Sequence, residues 1–517
     1  MISKSGHRFS DKIMRQRMKH WRRLEAWFAA HLRARDTRAA LTAIALFCIA
    51  GVVFLTGLKA AQDVFIDAAE AYAWGQSFLG GYGRHPPMTG WIAGVWYSVF
   101  PAADWASYAL SRVMTFVTLA ALYFIARRVV GPRGALFVVL AMMLYPLFHT
   151  KGERFNNYQV LLALLPVLVL VFLNAYEKRN VLWGALLGLA AAACTLTIYS
   201  GLIGVAAIGL AALIHPGRMR FLRSPAPWVA AVVYGVALTP HVLWLIKWNY
   251  PTLQWASSLA GEPGSVRHTL GYLGHHVALL AIPVVVGAAL LWPWRSTLRD
   301  AAAKYPDAVL VLVISTVLVF TPPVAALVLG SYLRLDWGNP LFFLVPLTLL
   351  VLVPLLVTRR AVARAGMVAT AFTLILLVAA PIYPWVNYRL RPVGGSHAPY
   401  HEIADELTKL WRARFNSALP LVIGGYEVAA YVVFYSPDHP KMYADFDPAL
   451  SPWIDYPAEL KRKGFVGACA PYAPECIAKL DALDPAAEKL IVSVTRLIGG
   501  VKGDTMIYEV RISPPRP

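Results

Sequence analysis

Long apolar runs recur from residue 40 to residue 382, and no other feature of this chain narrows its fold as much. Uninterrupted apolar windows lie near 40–58, 109–126, 134–149, 157–176, 181–199, 201–215, 228–246, 277–294, 308–330, 341–357 and 365–382. Each of these eleven covers roughly 15–23 residues, enough for a helix to cross a hydrocarbon layer of about 30 Å once the shorter ones reach into the interface. The fifth and sixth are separated by Tyr199–Ser200 alone and read equally well as one bent hairpin. Only 15% of the residues are charged and 58% are hydrophobic. A soluble domain is about 25% charged. Soluble globular and disordered chains are therefore excluded. The expected fold class is a mainly α, polytopic membrane protein with about eleven transmembrane helices.

The net charge of +20 would suggest nucleic acid in a soluble chain. Here its distribution orients the spans instead. Residues 1–39 hold 11 basic and 3 acidic groups, and alternate loops beyond them hold 14 basic and 3 acidic groups. The opposite loops are nearly balanced, with 8 and 7, and residues 386–517 are balanced, with 15 and 15. The basic side is the cytoplasmic one, so the N-terminus is expected inside and residues 386–517 in the periplasm of a bacterial inner (plasma) membrane protein. A cleaved signal is not expected, because a long basic arm precedes a 19-residue apolar run with no small-residue site after a short core. The amphipathic stretch 14–32 suits the anionic inner leaflet.

Three divisions follow: a basic cytoplasmic arm over 1–39, a transmembrane domain over 40–385, and a periplasmic domain over 386–517. In the last, short β-rich runs at 420–425, 441–445, 464–470, 489–496 and 506–512 alternate with helical stretches, which predicts a small α/β domain. Cys469 and Cys476 lie there with six residues between them. A disulfide and two unpaired thiols are both open readings on that side of the membrane. Cys48 and Cys194 fall in apolar spans and read as packing. No metal-ligand spacing of Cys or His is present.

The first outer loop, 59–108, is long and carries Trp74, Trp91, Trp96 and Trp105, as interfacial helices do. Asp63, Asp67 and Glu70 follow the first span at spacings of four and three, which would put them on one helix face. Like charges so close cost stability unless a site uses them. Arg84 and His85 follow, and Pro86-Pro87 stops any helix. Ordinary solvated loop charges are one reading of this cluster. Sugar transfer from a lipid phosphate is the other. A carboxylate would take the proton of an acceptor hydroxyl, and cations would stabilise the departing phosphate.

The stretch DAAEAYAWGQSFLGGYGRHPP (67–87) resembles the first outer loop of the family 39 glycosyltransferases. That family includes the protein mannosyltransferases and the aminoarabinose and galacturonic acid transferases of lipid A. Its bacterial pattern, D-E-A-Y-Y-x-x-W-(S/G)-Q…G-Y-(F/Y)-D-H-P-P, aligns without gaps. Asp67 falls on the family's catalytic Asp, and Trp74, Gln76, Gly81, Tyr82, His85, Pro86 and Pro87 match. Two positions depart from the pattern: Ala68 stands where the acidic residue follows the Asp, and Arg84 stands where an Asp precedes the His. Residues 145–166 resemble a family segment in which a basic residue precedes F-N, and Arg154, Asn156 and Asn157 sit on it. In 182–202 the family's S-K-Y is reduced to Tyr199, its Lys being Ile198. Residues 238–256 and 333–347 also look like family segments.

The resemblance implies a GT-C architecture and an inverting transfer from polyprenyl phosphate to a periplasmic hydroxyl of a lipid or envelope polysaccharide. It casts Asp67 as general base, with Glu70 or Asp63 as auxiliary acids. Arg84, His85 and Arg154 would hold the donor phosphate, and Tyr82, Asn156, Asn157 and Tyr199 would line the cavity. No cofactor is implied, and Glu70 beside Asp67 leaves a divalent metal open. Two rivals remain: a non-catalytic lipid-carrier flippase or envelope assembly factor, and a protein O-mannosyltransferase. Ionisable groups are nearly missing from the spans, against a transporter, and no Walker-type loop is present. Among other clusters, Lys151, Glu153 and Arg154 read equally as a snorkelling anchor or a donor-phosphate site. Arg334 and Asp336 read as a local ion pair, and His268, His275 and His276 as interfacial.

Overall fold

The computed structural model describes residues 36–291, 307–353, 357–390 and 397–516, apart from 449, 453, 456 and 499. Most of the basic arm and the inner-side loop with Arg295, Arg299 and Lys304 lie outside the described residues.

The membrane part is helical throughout. Helix α1 is Asp36–Leu58. The first outer loop folds into α2 (Ile66–Gly75) and α3 (Met88–Tyr97), followed by the long α4 (Asp104–Met142). Next come α5 (Asn157–Lys178), α6 (Val181–Thr195), α7 (Gly201–Ile214), α8 (Arg218–Leu222) and α9 (Pro225–Lys247). The set is completed by α10 (Pro251–Ala260), α11 (Val266–Leu291), α12 (Asp307–Leu329), α13 (Val345–Leu352), α14 (Arg359–Ala379) and α15 (Ile382–Leu390). Among the described residues seven helices are long and apolar enough to cross a membrane: α1, α4, α5, α9, α11, α12 and α14. Every expected apolar run falls on a helix, but the lengths differ. Runs 109–126 and 134–149 share α4, which bends at Gly131 (φ 78°) and Pro132 because the ring blocks the preceding turn. Run 341–357 contains only the eight-residue α13. Helix α1 is described from Asp36, and α15 runs across residue 386.

Helix α9 exposes Val232, Val236 and Leu243, and α14 exposes Leu374, Ile375 and Val378. Such a belt needs lipid as its solvent, because backbone groups are satisfied inside each helix. Arg112 is buried in the first third of α4. Its guanidinium donates to the Phe148 carbonyl (2.7 Å) and to the Gly152 carbonyl, so it pins the turn that leads to Glu153 and Arg154. A Cβ at Gly152 would stand 1.8 Å from Arg112 Nη2, which leaves glycine alone at that place.

Beyond α15 lies the α/β domain. It contains α16 (Tyr400–Phe415), β1 (Leu421–Gly424), α17 (Tyr426–Tyr435), β2 (Lys441–Ala444) and α18 (Ala458–Lys463). Then follow β3 (Phe465–Cys469), α19 (Pro474–Leu483), β4 (Glu488–Ile498) and β5 (Val501–Ser513). The sheet order is β2-β1-β3-β5-β4; β1 is parallel to β2 and β3, while β5 is antiparallel to β3 and β4. All five β-rich runs of the sequence are strands. Cys469 and Cys476 form a disulfide.

This domain is packed onto the first outer loop. The alanines of α2 (Ala68, Ala69, Ala71, Ala73) share one apolar cluster with Ala429, Ala430, Val433 and Phe434 of α17. Small residues let the two helices approach closely, and each large apolar side chain buried there contributes about 1.5–3 kcal/mol. On its other side α2 crosses α3, where a Cβ at Gly75 would meet Gly94 N at 2.5 Å.

Candidate active site at the junction of the outer loop and the outer domain

Asp67 is in the first turn of α2 and keeps partial exposure. Its Oδ2 accepts a hydrogen bond from Asn156 Nδ2 (3.0 Å). The same Asn156 is the N-cap of α5, its Oδ1 accepting from Gln159 N (3.0 Å). The cap fixes which end of the amide faces Asp67: the oxygen is committed to the helix, so only the NH2 remains. The positive end of α5 therefore points toward the carboxylate. Burial pushes the Asp67 carboxyl above the ordinary carboxylate range, while the Asn156 hydrogen bond and the Arg154 charge pull the other way.

Glu70, one turn on, is buried and receives the Tyr426 hydroxyl of α17. Burial, together with the nearby Asp67 charge, pushes Glu70 up to about 8, so it is protonated at neutral pH. The Arg84 charge, with Nη1 3.8 Å from Glu70, and the Tyr426 hydroxyl pull the other way without overcoming burial. Arg84 itself lies 3.5 Å over the Tyr426 ring and 4.8 Å from the Trp255 ring centroid, and pairs with Asp445 at 3.4 Å. Three elements thus meet on one guanidinium: the outer loop, α10 and the outer domain. The turn that presents it is tight, with Tyr82 and His85 exchanging both backbone hydrogen bonds at 3.0 Å. Burial and the Arg84 charge hold His85 down at about 4, so its imidazole is neutral, with one N–H to donate and one ring nitrogen to accept.

Arg84, His85, Pro86, Tyr158, Tyr199 and Trp337 line a mainly apolar cavity of about 190 Å³ that extends between α7, α10 and α12. Ser200, whose buried hydroxyl has no hydrogen-bond partner among the described residues, also faces it. A second, more polar cavity of about 340 Å³ lies between the membrane part and the outer domain, and Arg154 belongs to that one.

The expected residues are therefore divided. Asp67, Glu70, Arg84, His85 and Asn156 come together, and Tyr199 lines the apolar cavity. Asp63 does not join them: it precedes α2, and Arg496 Nη2 (2.7 Å) and Tyr400 N (3.1 Å) occupy it as part of the inter-domain seam. The one-face spacing assumed a helix that begins before residue 66. Arg154 pairs with Asp336 (3.4 Å), lies 4.2 Å from the Phe65 ring centroid and acts on Asp67 through its charge, while lining the more polar cavity rather than the one that holds Arg84. Arg334 pairs with Glu262 (2.6 Å), so it and Asp336 are not a local pair. Tyr82 is fully buried, stacked on Trp74 (5.3 Å), with its hydroxyl donating to Ser77 O (2.6 Å); it supports the turn rather than lining a cavity. Asn157 is buried and receives the Thr89 hydroxyl, which ties α5 to α3. Among the described residues no group of three or more His, Cys, Asp or Glu could hold a metal ion.

Sequence reasoning missed Tyr426, Asp445, Trp255 and Asp336. The cap at Asn156 did carry a signal, an Asn followed three residues later by Gln before an apolar run.

Comparison with known proteins agrees with this arrangement. Residues 84–244 match the family described as dolichyl-phosphate-mannose-protein mannosyltransferase, a stretch that begins at Arg84 and takes in Asn156 and Tyr199. The chain is 24% identical over 208 residues to the lipid A galacturonosyltransferase RgtD of Rhizobium johnstonii. That alignment covers 39% of this chain and spans 42% of the relative's length. The fold matches ArnT from Cupriavidus metallidurans bound to undecaprenyl phosphate, with a TM-score of 0.57 at 15% identity, covering 91% of this chain and 97% of that one. The apo state of the same ArnT gives a TM-score of 0.58 at 15% identity, covering 92% and 98%. Taken with the outer-loop pattern and the helical scaffold, these likenesses show a fold similar to that of ArnT and a stretch similar to the mannosyltransferase family model, and the chain spans less than half the length of the curated relative it matches.

Proposed function

We propose that this protein transfers a sugar from a polyprenyl-phosphate carrier to a hydroxyl of a lipid or envelope polysaccharide, with inversion, at the periplasmic face of the inner membrane. The observation that carries this reading is Asp67: a carboxylate aimed by a helix-capping amide, with Arg84 and His85 at the mouth of an apolar cavity beside it. The apolar cavity takes the head of the lipid donor, and the remainder of the chain stays in the bilayer. Arg84, stacked and fixed between two rings, faces the phosphate with a charge that needs no reorganisation.

In the transfer the acceptor oxygen attacks the anomeric carbon, and its proton passes to Asp67. The carbon–oxygen bond to phosphate breaks, and polyprenyl phosphate leaves with the electron pair. A base whose proton affinity is raised by burial takes that proton better at neutral pH than an exposed carboxylate does. Glu70, protonated, adds no second negative charge beside the departing phosphate. His85 serves as a neutral donor, so Arg84 is the cation in this cavity, and Arg154 is reassigned away from the donor phosphate.

The basic-side-inside rule supports a periplasmic α/β domain, on the side where nucleotide sugars do not occur and a lipid-linked donor is required. ArnT, the fold relative, was crystallised with undecaprenyl phosphate, which supports a polyprenyl-phosphate donor, and RgtD is named for lipid A, which supports a lipid acceptor. The deciding experiment compares wild type and Asp67→Asn in membranes of a deletion strain, at matched expression. Transfer is expected to fall by about 10²–10⁴-fold. Unchanged envelope glycans in the variant, with a defect on deleting the whole gene, would replace this reading by a flippase or assembly role.

A further inference from the structure

We infer that His241 is a positioning residue for the apolar cavity: from behind its wall it fixes the backbone that presents Arg84. The inference rests on the transfer reading above. His241 is buried in α9, behind the residues that line the cavity. Its Nδ1 is 2.7 Å from the Gly80 carbonyl, and its Nε2 is 3.1 Å from the Tyr199 hydroxyl. A carbonyl only accepts, so Nδ1 carries a proton and donates it. Nε2 is then the lone-pair nitrogen of the neutral ring, and Tyr199 donates to it. With its own proton engaged there, Tyr199 accepts from Thr252, whose Oγ1 is 2.6 Å away. The hydrogen bonds therefore run one way, from Thr252 through Tyr199 and His241 to Gly80.

The stretch at the end of this relay has little rigidity of its own. Gly80 and Gly81 stand consecutively before the Tyr82–His85 turn, and glycine leaves a backbone its greatest freedom. Three contacts remove that freedom. The Trp91 indole donates to the Leu79 carbonyl (2.8 Å), and His241 donates to the Gly80 carbonyl. Gly81 packs on Trp244, where a Cβ would stand 2.5 Å from the ring. His241 and Trp244 are three apart in α9, so one helix face holds both glycines. The start of the relay also leads to Arg84. Thr252 is in the first turn of α10, and Trp255, one turn on, is the ring 4.8 Å from the Arg84 guanidinium. Arg84, Tyr199, Thr252 and Trp255 all line the cavity. A cation binds phosphate most strongly when no order has to be imposed at binding. His241 supplies that order at a carbonyl four residues before Arg84.

The test measures binding of undecaprenyl phosphate to full-length protein in nanodiscs, at a folded fraction matched by thermal unfolding. His241→Asn puts an amide N–H at the place of Nδ1 and keeps the Gly80 bond. His241→Gln puts its amide at the place of Nε2 and loses that bond. With the Gly80 carbonyl left unpaired, binding is expected to weaken about tenfold in His241→Gln, against less than about threefold in His241→Asn. Arg84→Gln weakens binding by itself. Adding His241→Gln to it is expected to change affinity by less than about twofold further, because the histidine acts through that arginine. Equal affinity in wild type and both histidine variants overturns the inference. Equal losses in the two, or additive losses in the double variant, overturn it as well, since a histidine that only stabilises its span would give those. If wild type itself binds no undecaprenyl phosphate, the polyprenyl-phosphate donor reading fails, and this inference with it.

Discussion

Asp63 and Asp67 are four residues apart and belong to two different regions of the molecule. Asp63 is on the seam that holds the outer domain down, and both its oxygens are engaged, one by Arg496 and one by the Tyr400 amide. Arg496 is shared with Glu402 (2.9 Å). Around it Tyr431 donates to the Val64 carbonyl, and Val64 N donates to Tyr435. Asp67 has one side-chain amide as partner and keeps partial exposure, with the residue before it, Ile66, lining the polar cavity. Burial raises the proton affinity of both. A carboxylate whose two oxygens are occupied is a joint, and the one that keeps a free oxygen is the one proposed for proton transfer. Sequence spacing made the two look equivalent; their partners separate them.

The comparison breaks most sharply through matched substitutions. Asp67→Asn is expected to abolish transfer by about 10²–10⁴-fold with thermal stability unchanged, since Asn keeps the shape. A mutation at the seam should do the reverse. Arg496→Met strips the partner from the buried Asp63 carboxylate, and breaking a buried pair costs about 3–5 kcal/mol. Limited proteolysis should then release the outer domain at lower temperature, while the protein that stays assembled retains transfer. Equal loss of transfer and stability in both variants would erase the distinction between joint and site.

The membrane part and the outer domain were legible for opposite reasons. Spans are announced by composition, because lipid tolerates little else. Their lengths are not, since Gly131-Pro132 bends one helix across two runs, and α13 covers only eight residues of another. Strands of the outer domain were read from short β-branched runs between turn residues, and all five stand where expected. What no local pattern carries is the pairing between them. Tyr426 meets Glu70 across 356 positions, and Arg496 meets Asp63 across 433. Tyr82 shows the converse: its place in a motif did not reveal that its ring is a stacking partner rather than a wall.

A smaller effect separates the outer domain's own stability from its service to the site. The Cys469–Cys476 bridge joins residues seven apart, and closing so short a loop contributes about 2–3 kcal/mol. It joins the end of β3 to α19, and Ala468 beside it pairs with Gly424, two residues before Tyr426, without the bridge itself contacting Glu70 or Arg84. Cys469→Ser with Cys476→Ser should lower the unfolding temperature of the outer domain and leave transfer within about twofold. A proportionate fall in transfer would mean that the sheet, not only α17, positions the site.

The finest distinction concerns Glu70. Its carboxyl is held up at about 8, against 4.5 for the free side chain, so the folded protein binds a proton there that the unfolded chain releases. Folding is therefore favoured at low pH, and this contribution is lost as pH rises through about 8. The same ionisation puts a negative charge beside Asp67 and the departing phosphate, so transfer should decline above about pH 8. Glu70→Gln copies the neutral form and accepts the Tyr426 hydroxyl as before. It should transfer like wild type at pH 7 and lose that alkaline limb, while the acid limb set by Asp67 stays. If the alkaline limb survives in Glu70→Gln, another group sets it. If transfer at pH 7 collapses, Glu70 is used as an anion, and burial does not hold its proton.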